Sequence, residues 1–422
     1  MNLTPSEHTV GDLTRHYRRK AKISQGKFGE RVGMSKSHVS KIETGLIIQP
    51  EYSTMLRIVK ELNIPMNEMI LCYVKYECRA DILQIMLLEA IGLEDAALTK
   101  IVASKYLESP HSDSLVAIAK LYDTTEPLED PDTKLALFKV IINYSRGHGV
   151  MPYLAKAQLQ SYLIERDDFS RLRETYDMGK YVLKYIEFLS DAERITLYYR
   201  LAVHAFILRM PKDIVTYCDL VRAEPTESEF KIHAVGMLRE AYLSLGNYDM
   251  TEKYIEEYRM CSPYDDNHIM VEAMLASKRG YKELAITQFE VCLRHCRADY
   301  VINVVNELVS NYIQLAQLGP IPDLLLLEEE ITKINYKSPL KRAELARFYK
   351  QKGDYYALLK DLKKSVNNYL LAAGNYVQID DNSSEHECLM LMFRLYRTNQ
   401  RSMDIETIEL LEKYLESCFL DK

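Results

Sequence analysis

Four glycines in the second half of the chain recur at a nearly fixed interval, and that interval limits the fold more than any other feature. Gly246-Asn-Tyr248, Gly280-Tyr281, Gly319-Pro320 and Gly353-Asp-Tyr355 lie 34, 39 and 34 residues apart. The stretches between them carry apolar residues at helical period, with prolines only between segments and no strand alternation. A recurrence of this length is that of one helical hairpin, so each glycine is expected at a turn between two helices. Asp167-Asp168-Phe169 and Met210-Pro211 occupy equivalent turns without the glycine. A lone hairpin cannot bury its apolar face, so hairpins stack and leave a concave inner surface. The default reading of the 31 tyrosines and 17 methionines is core at helical spacing.

The first residues obey a different pattern. Val10, Leu13, Tyr17 and Ala21 form one apolar stripe, with Arg15, Arg18, Arg19 and Lys20 assigned to the opposite face. Ser24 is a good N-cap for a helix Gln25–Val32, which Gly33 ends in a left-handed turn. Ser35 caps the next helix, Lys36–Glu43, and Gly45 closes it. Phe28, Val32, Met34, Val39 and Ile42 are the apolar seam between these two short helices, the geometry of a helix-turn-helix. Thr54–Leu62 reads as a fourth helix and Met66–Leu71 as a fifth.

Charge separates the two parts. Residues 1–70 hold eleven Lys/Arg against seven Asp/Glu, while the remaining residues hold 43 against 54. A basic head on an acidic body is the footprint of a nucleic-acid reader joined to something that is not one. No run of eighteen apolar residues exists and the opening residues lack a signal-peptide core, so a cytoplasmic protein with no membrane partner is expected. The eight cysteines have no regular pairing. Cys292, His295 and Cys296 share a helical face without a fourth ligand, so no metal or other cofactor is expected. Phosphate-binding loops, dinucleotide motifs and metalloprotease motifs are missing, and Ser24-Gln-Gly-Lys27 lies inside the helix-turn-helix; the chain reads as no enzyme.

Ile23-Ser24-Gln25, Phe28-Gly29, Val32-Gly33-Met34-Ser35, Ser37, Val39-Ser40-Lys41-Ile42-Glu43 and Gly45 resemble the lambda-repressor/Cro-like (XRE) DNA-binding family. The pattern departs from the family at Gly29, where alanine is usual, and at Gly26, normally a long helix former. The resemblance implies that Lys36, Ser37, His38 and Lys41 face base edges in the major groove. It places Ser40 and Gln25 where the family contacts bases or phosphates. Arg15, Arg19, Lys22 and Lys27 become phosphate clamps. Such heads bind as pairs ~34 Å apart on a palindromic double-stranded operator, so a homodimer is implied, with the body supplying the dimer contact.

Leu238, Ala241-Tyr242, Leu245-Gly246-Asn247-Tyr248 and Pro263 resemble a tetratricopeptide repeat; Gly280, Ala285 and Phe289 match half of another, and Ala346, Tyr349 and Gly353 part of a third. The expected fold is therefore all-α. A five-helix lambda-repressor-like domain (1–71) precedes a TPR-like right-handed α-solenoid (72–422). An XRE head on such a body resembles the peptide-pheromone regulators of the Rgg, PlcR, NprR and AimR type. That resemblance implies a quorum-sensing or lysis–lysogeny type transcription regulator whose concave surface binds a short signalling peptide that alters DNA affinity. It also implies that asparagines on inner helices clamp the peptide backbone. Expected peptide contacts are Asn303, Asn306 and Asn311 on one helix, Asn267 and Arg239 with Glu240 on the preceding inner helices, and Arg200 and His204 earlier still. Two alternatives stand beside this reading: a groove for a protein partner such as an antirepressor, and a Rap-like response-regulator phosphatase.

Overall fold

The structure is a computed structural model and describes residues 9–110, 113–262, 268–333, 336 and 338–420. Every regular element among the described residues is helical. The chain divides into two compact units, Met1–Ile164 with Tyr185–Phe188, and Glu165–Lys184 with Leu189–Lys422.

The first unit opens with α1 (Val10–Lys20), α2 (Gln25–Val32), α3 (Lys36–Glu43), α4 (Tyr52–Leu62) and α5 (Met66–Tyr73). Their ends are set by local chemistry. Thr9 and Asp12 form a reciprocal capping box on α1. The hydroxyls of Ser24 and Ser35 accept the backbone N–H of Lys27 and His38, three residues into α2 and α3. Gly33 (φ 71°) ends α2 as expected. Gly29 sits where α2 crosses the next turn: a Cβ there would lie 2.4 Å from the Met34 carbonyl oxygen. Close approach, not turn geometry, requires glycine at that position.

α6 (Ala80–Gly92), α7 (Ala96–Leu107), α8 (Ser114–Thr125), α9 (Pro131–His148) and α10 (Met151–Glu165) follow. One core runs from Val10 through Phe28, Met55, Ile58 and Met69 to Leu83, Val102, Ile118 and Phe138, all buried. A polar bond ties α6 to the head, Tyr52 Oη donating to Glu89 Oε2 at 2.7 Å, and within the head Tyr73 Oη donates to the Pro50 carbonyl at 2.8 Å. At the α5–α6 joint the buried Glu77 accepts the N–H groups of Cys78 and Arg79 and pairs with Arg79 at 2.7 Å.

The second unit is built of paired helices. After α11 (Leu172–Val182) come α12 (Asp191–Ile207) with α13 (Pro211–Ala223), α14 (Phe230–Ser244) with α15 (Tyr248–Cys261), and α16 (His268–Lys278) with α17 (Lys282–His295). α18 (Val301–Gln314) is followed by the short α19 (Ile321–Leu325) and α20 (Glu328–Thr332). α21 (Pro339–Leu358) pairs with α22 (Leu362–Val377), and α23 (Asn382–Thr398) and α24 (Ile405–Leu420) end the array. Each first helix packs on its own partner and on the next first helix: α12 on α14, α14 on α16, α16 on α18 and α18 on α21. Stacking of this kind buries one continuous stripe per hairpin.

The glycine punctuation is only partly the turn punctuation. Gly246 (φ 72°) and Gly280 (φ 94°) adopt left-handed turns, but Arg209 (φ 56°), Ala316 (φ 56°) and Lys360 (φ 60°) do so in the other hairpins. Gly353 does not end a helix, contrary to the expectation; it lies inside α21. A Cβ there would come within 2.7 Å of the Tyr369 ring, so this glycine serves the contact between α21 and α22.

Candidate DNA-reading face and ligand groove

On the head, α3 presents Lys36, Ser37, His38 and Lys41 to solvent, with Ser40 half-buried beside them. The opposite side of this helix holds Val39 and Ile42 in the core, so the polar face is fixed by the seam. A major groove ≈12 Å wide admits one such helix with its N-terminal side chains at base edges.

The cations sort themselves by partner. Arg18, expected on the solvent face of α1, is buried instead. Its guanidinium makes a two-pronged bond to the buried Glu43 of α3 at 2.5 and 2.8 Å and donates to the Ile23 carbonyl at 2.7 Å. Gln25 of α2 donates to the same carboxylate at 2.9 Å, so one anion joins three helices and also orients the Gln25 amide. Burial alone would raise the Glu43 pKa; Arg18 and Gln25 outweigh it and hold the carboxyl below its usual range. Arg31 is spent on Glu61 at 2.9 Å and Arg57 on the Val32 carbonyl. Arg15, Arg19, Lys22, Lys27, Lys36 and Lys41 have no carboxylate within ion-pair distance among the described residues.

In the second unit the inner helices border a cavity of about 780 Å³. α14 contributes Glu240 and Ser244, α16 Met274, Ser277 and Lys278, α18 Glu307, Ser310 and Gln314, and α21 Leu340, Ala343, Glu344 and Arg347. Steps of three, four and seven put one face of each helix on the cavity. Phe206, Ile207 and Arg209 close the α12 end. A further recess of about 290 Å³ shares Ser310, Gln314 and Arg347 and adds Lys350, Gln351 and Asp354. Arg347 bonds Glu307 at 2.7 Å and lies 3.6 Å from Glu344; these carboxylates raise its pKa against the opposing effect of burial.

Of the expected peptide contacts, Glu240 lines this cavity. Asn306 is fully buried one layer behind it, its amide donating to the Glu344 carbonyl and carboxylate at 2.9 and 2.8 Å. Asn311 accepts from Ser277 at 2.6 Å and donates to the Glu307 carbonyl, fastening α16 to α18. Arg239 is buried with its guanidinium 4.2 Å from the Tyr258 ring centre, and His204 is buried 5.2 Å from Tyr176. Burial pushes the His204 pKa down to about 4. Arg200 stacks over Tyr199 and Phe230, and Asn303 is half-buried; neither borders the cavity. Asn267 lies outside the described residues. Most of the cavity's polar residues, Lys278, Ser310, Gln314, Glu344 and Arg347 among them, were not singled out from the sequence. One signal was available, since Ser277 and Asn311 occupy equivalent places 34 residues apart.

Residues 15–69 match the helix-turn-helix family, and the head is an XRE-type helix-turn-helix DNA-binding domain. Three solved structures align with the chain. A signal-transduction ATPase with a tetratricopeptide-repeat sensor from Pyrococcus horikoshii matches 97% of the chain at 12% identity and a TM-score of 0.47, and the chain spans 65% of that protein's length. PlcR of Bacillus thuringiensis, solved with the peptide PapR7 and DNA, matches 66% of the chain and 98% of its own at 14% identity, with a TM-score of 0.21. The SHP pheromone receptor Rgg2 of Streptococcus dysgalactiae matches 60% of the chain and 99% of its own at 16% identity and a TM-score of 0.17. No curated protein matches the chain in sequence. Among the described residues no helix is long and apolar enough to cross a membrane.

Proposed function

We propose that the chain is a transcription regulator of the cytoplasm, a binding protein and no enzyme, that reads a palindromic operator as a homodimer. A short signalling peptide in the groove of the second unit would change its affinity for DNA. The observation that carries the DNA half is the sorting of cations in the head: among the described residues those on the α3 face and its flanks have no carboxylate within ion-pair distance, while Arg18, Arg31 and Arg57 are spent on structure. For the ligand half it is the cavity of about 780 Å³, within the range of small-ligand sites, walled by one face of each of four stacked helices. A peptide bridging those helices would favour one spacing of the hairpins over another; differential binding of a few kcal/mol is enough to shift such an equilibrium.

The DNA half is tested on operator sequences selected from random duplexes. Loss of Arg15, Arg19, Lys22 or Lys27 should each flatten the slope of log K against log salt by ~1. Lys36→Ala and His38→Ala should change the preferred sequence instead. If neither set affects binding to any duplex, the head is not a DNA reader. Genomic footprints with and without spent culture medium test the ligand half, and identical footprints in both would count against a secreted peptide.

A further inference from the structure

The charges that border the groove do not cancel. Glu307 and Glu344 are held by Arg347, Asp354 by Lys350 at 3.5 Å, and Glu240 is also engaged. Three cations on the same walls have no carboxylate within ion-pair distance among the described residues. Lys278, the last residue of α16, is exposed and has no ion-pair partner among the described residues. Lys282, the first of α17, donates to the neutral amide of Gln314 and to no carboxylate among the described residues. Arg209, in the left-handed turn after α12, lies 5.9 Å from the Tyr376 ring centre, a contact that leaves its charge in place. All three border the cavity of about 780 Å³, together with the apolar Phe206, Ile207 and Met274.

From this imbalance we infer that the groove selects an anionic peptide, seating a carboxylate among Arg209, Lys278 and Lys282 and apolar side chains against Phe206, Ile207 and Met274. The carboxylate is either the peptide's C-terminus or an Asp or Glu side chain, which present the same chemistry to an ammonium or guanidinium group. The inference rests on the peptide-binding reading above. Cations beside helix C-termini also offset the helix dipole, so the test needs a readout that a dipole role would not move.

The full chain is challenged with two synthetic libraries of short random peptides, identical except that one ends in a free carboxylate and the other in an amide; retained peptides are identified by mass spectrometry. Retention that amidation abolishes assigns the C-terminus. Retention that survives amidation with enrichment of Asp and Glu assigns a side chain. Retained peptides without acidic bias, or rich in Lys and Arg, overturn the inference and leave peptide binding standing. No retention from either library overturns both. Lys278→Glu, at an exposed position, should lower the affinity for the retained peptides roughly tenfold with an unchanged melting temperature, and Lys282→Met should lower it less. Unchanged affinity in both variants also overturns it.

Discussion

Two glycines three positions apart in α2 have opposite physical reasons for being there. Gly29 faces the Met34 carbonyl with no room for a methyl group, whereas a Cβ on Gly26 would meet nothing within 4 Å. Gly29→Ala should therefore destabilise the protein by more than the helix propensity of alanine returns, while Gly26→Ala should stabilise it by about 1 kcal/mol. Thermal unfolding of the two variants checks both signs. His204 gives a residue-level prediction in pH. Its folded pKa of about 4 lies below the ordinary value of 6.5, so the folded state holds it neutral. Stability is complete above pH 6.5 and falls as the unfolded chain takes up the proton, by an amount on the order of 3 kcal/mol near pH 4. Chemical denaturation from pH 7 to 4 should show that loss, and His204→Gln should remove most of it. Neither property was legible in the sequence, because burial is decided by residues from other helices.

At the scale of elements, the Arg18–Glu43–Gln25 cluster sets how α1, α2 and α3 meet, and through them how α3 is presented. Removing one partner of a buried ion pair leaves the other uncompensated, so Glu43→Gln should cost about 3 kcal/mol. Because the Glu43 pKa is held below its usual 4.5, its contribution is present above that value and lost as pH falls through the lower folded pKa. A urea titration of wild type and variant at pH 7 and pH 3 checks both statements: the difference between them should shrink at the lower pH. The helices themselves were largely legible. α1, α2 and α3 fall on the expected residues, since a stripe, a serine cap and a glycine stop lie within a few consecutive positions. Expected starts and ends elsewhere moved by two residues: α4 begins at Tyr52 and α5 runs to Tyr73.

For the whole molecule, the core of the first unit passes without interruption from the five head helices into α6–α10. Tyr52, Met69 and Tyr73 are buried in that core, and Tyr52 bonds α6 directly. A fragment ending at Tyr73 should therefore melt well below a fragment ending at Ile164; equal melting temperatures by circular dichroism would show the head to be energetically independent. The head and the helical repeat follow from the sequence alone, because both are written in local periodicity, caps and a recurring interval of about 34 residues. What lines the groove does not follow from it. Asn306 and Asn311 stand on α18, a groove-lining helix, yet they are spent on Glu344 and Ser277, residues 38 and 34 positions away. Gly353 resembles a turn residue, yet it lies within a helix, where a Cβ would come within 2.7 Å of the Tyr369 ring. Helicity and register are properties of neighbours in the chain. Whether a polar side chain fastens two helices or faces a ligand depends on partners that only the packed structure brings together.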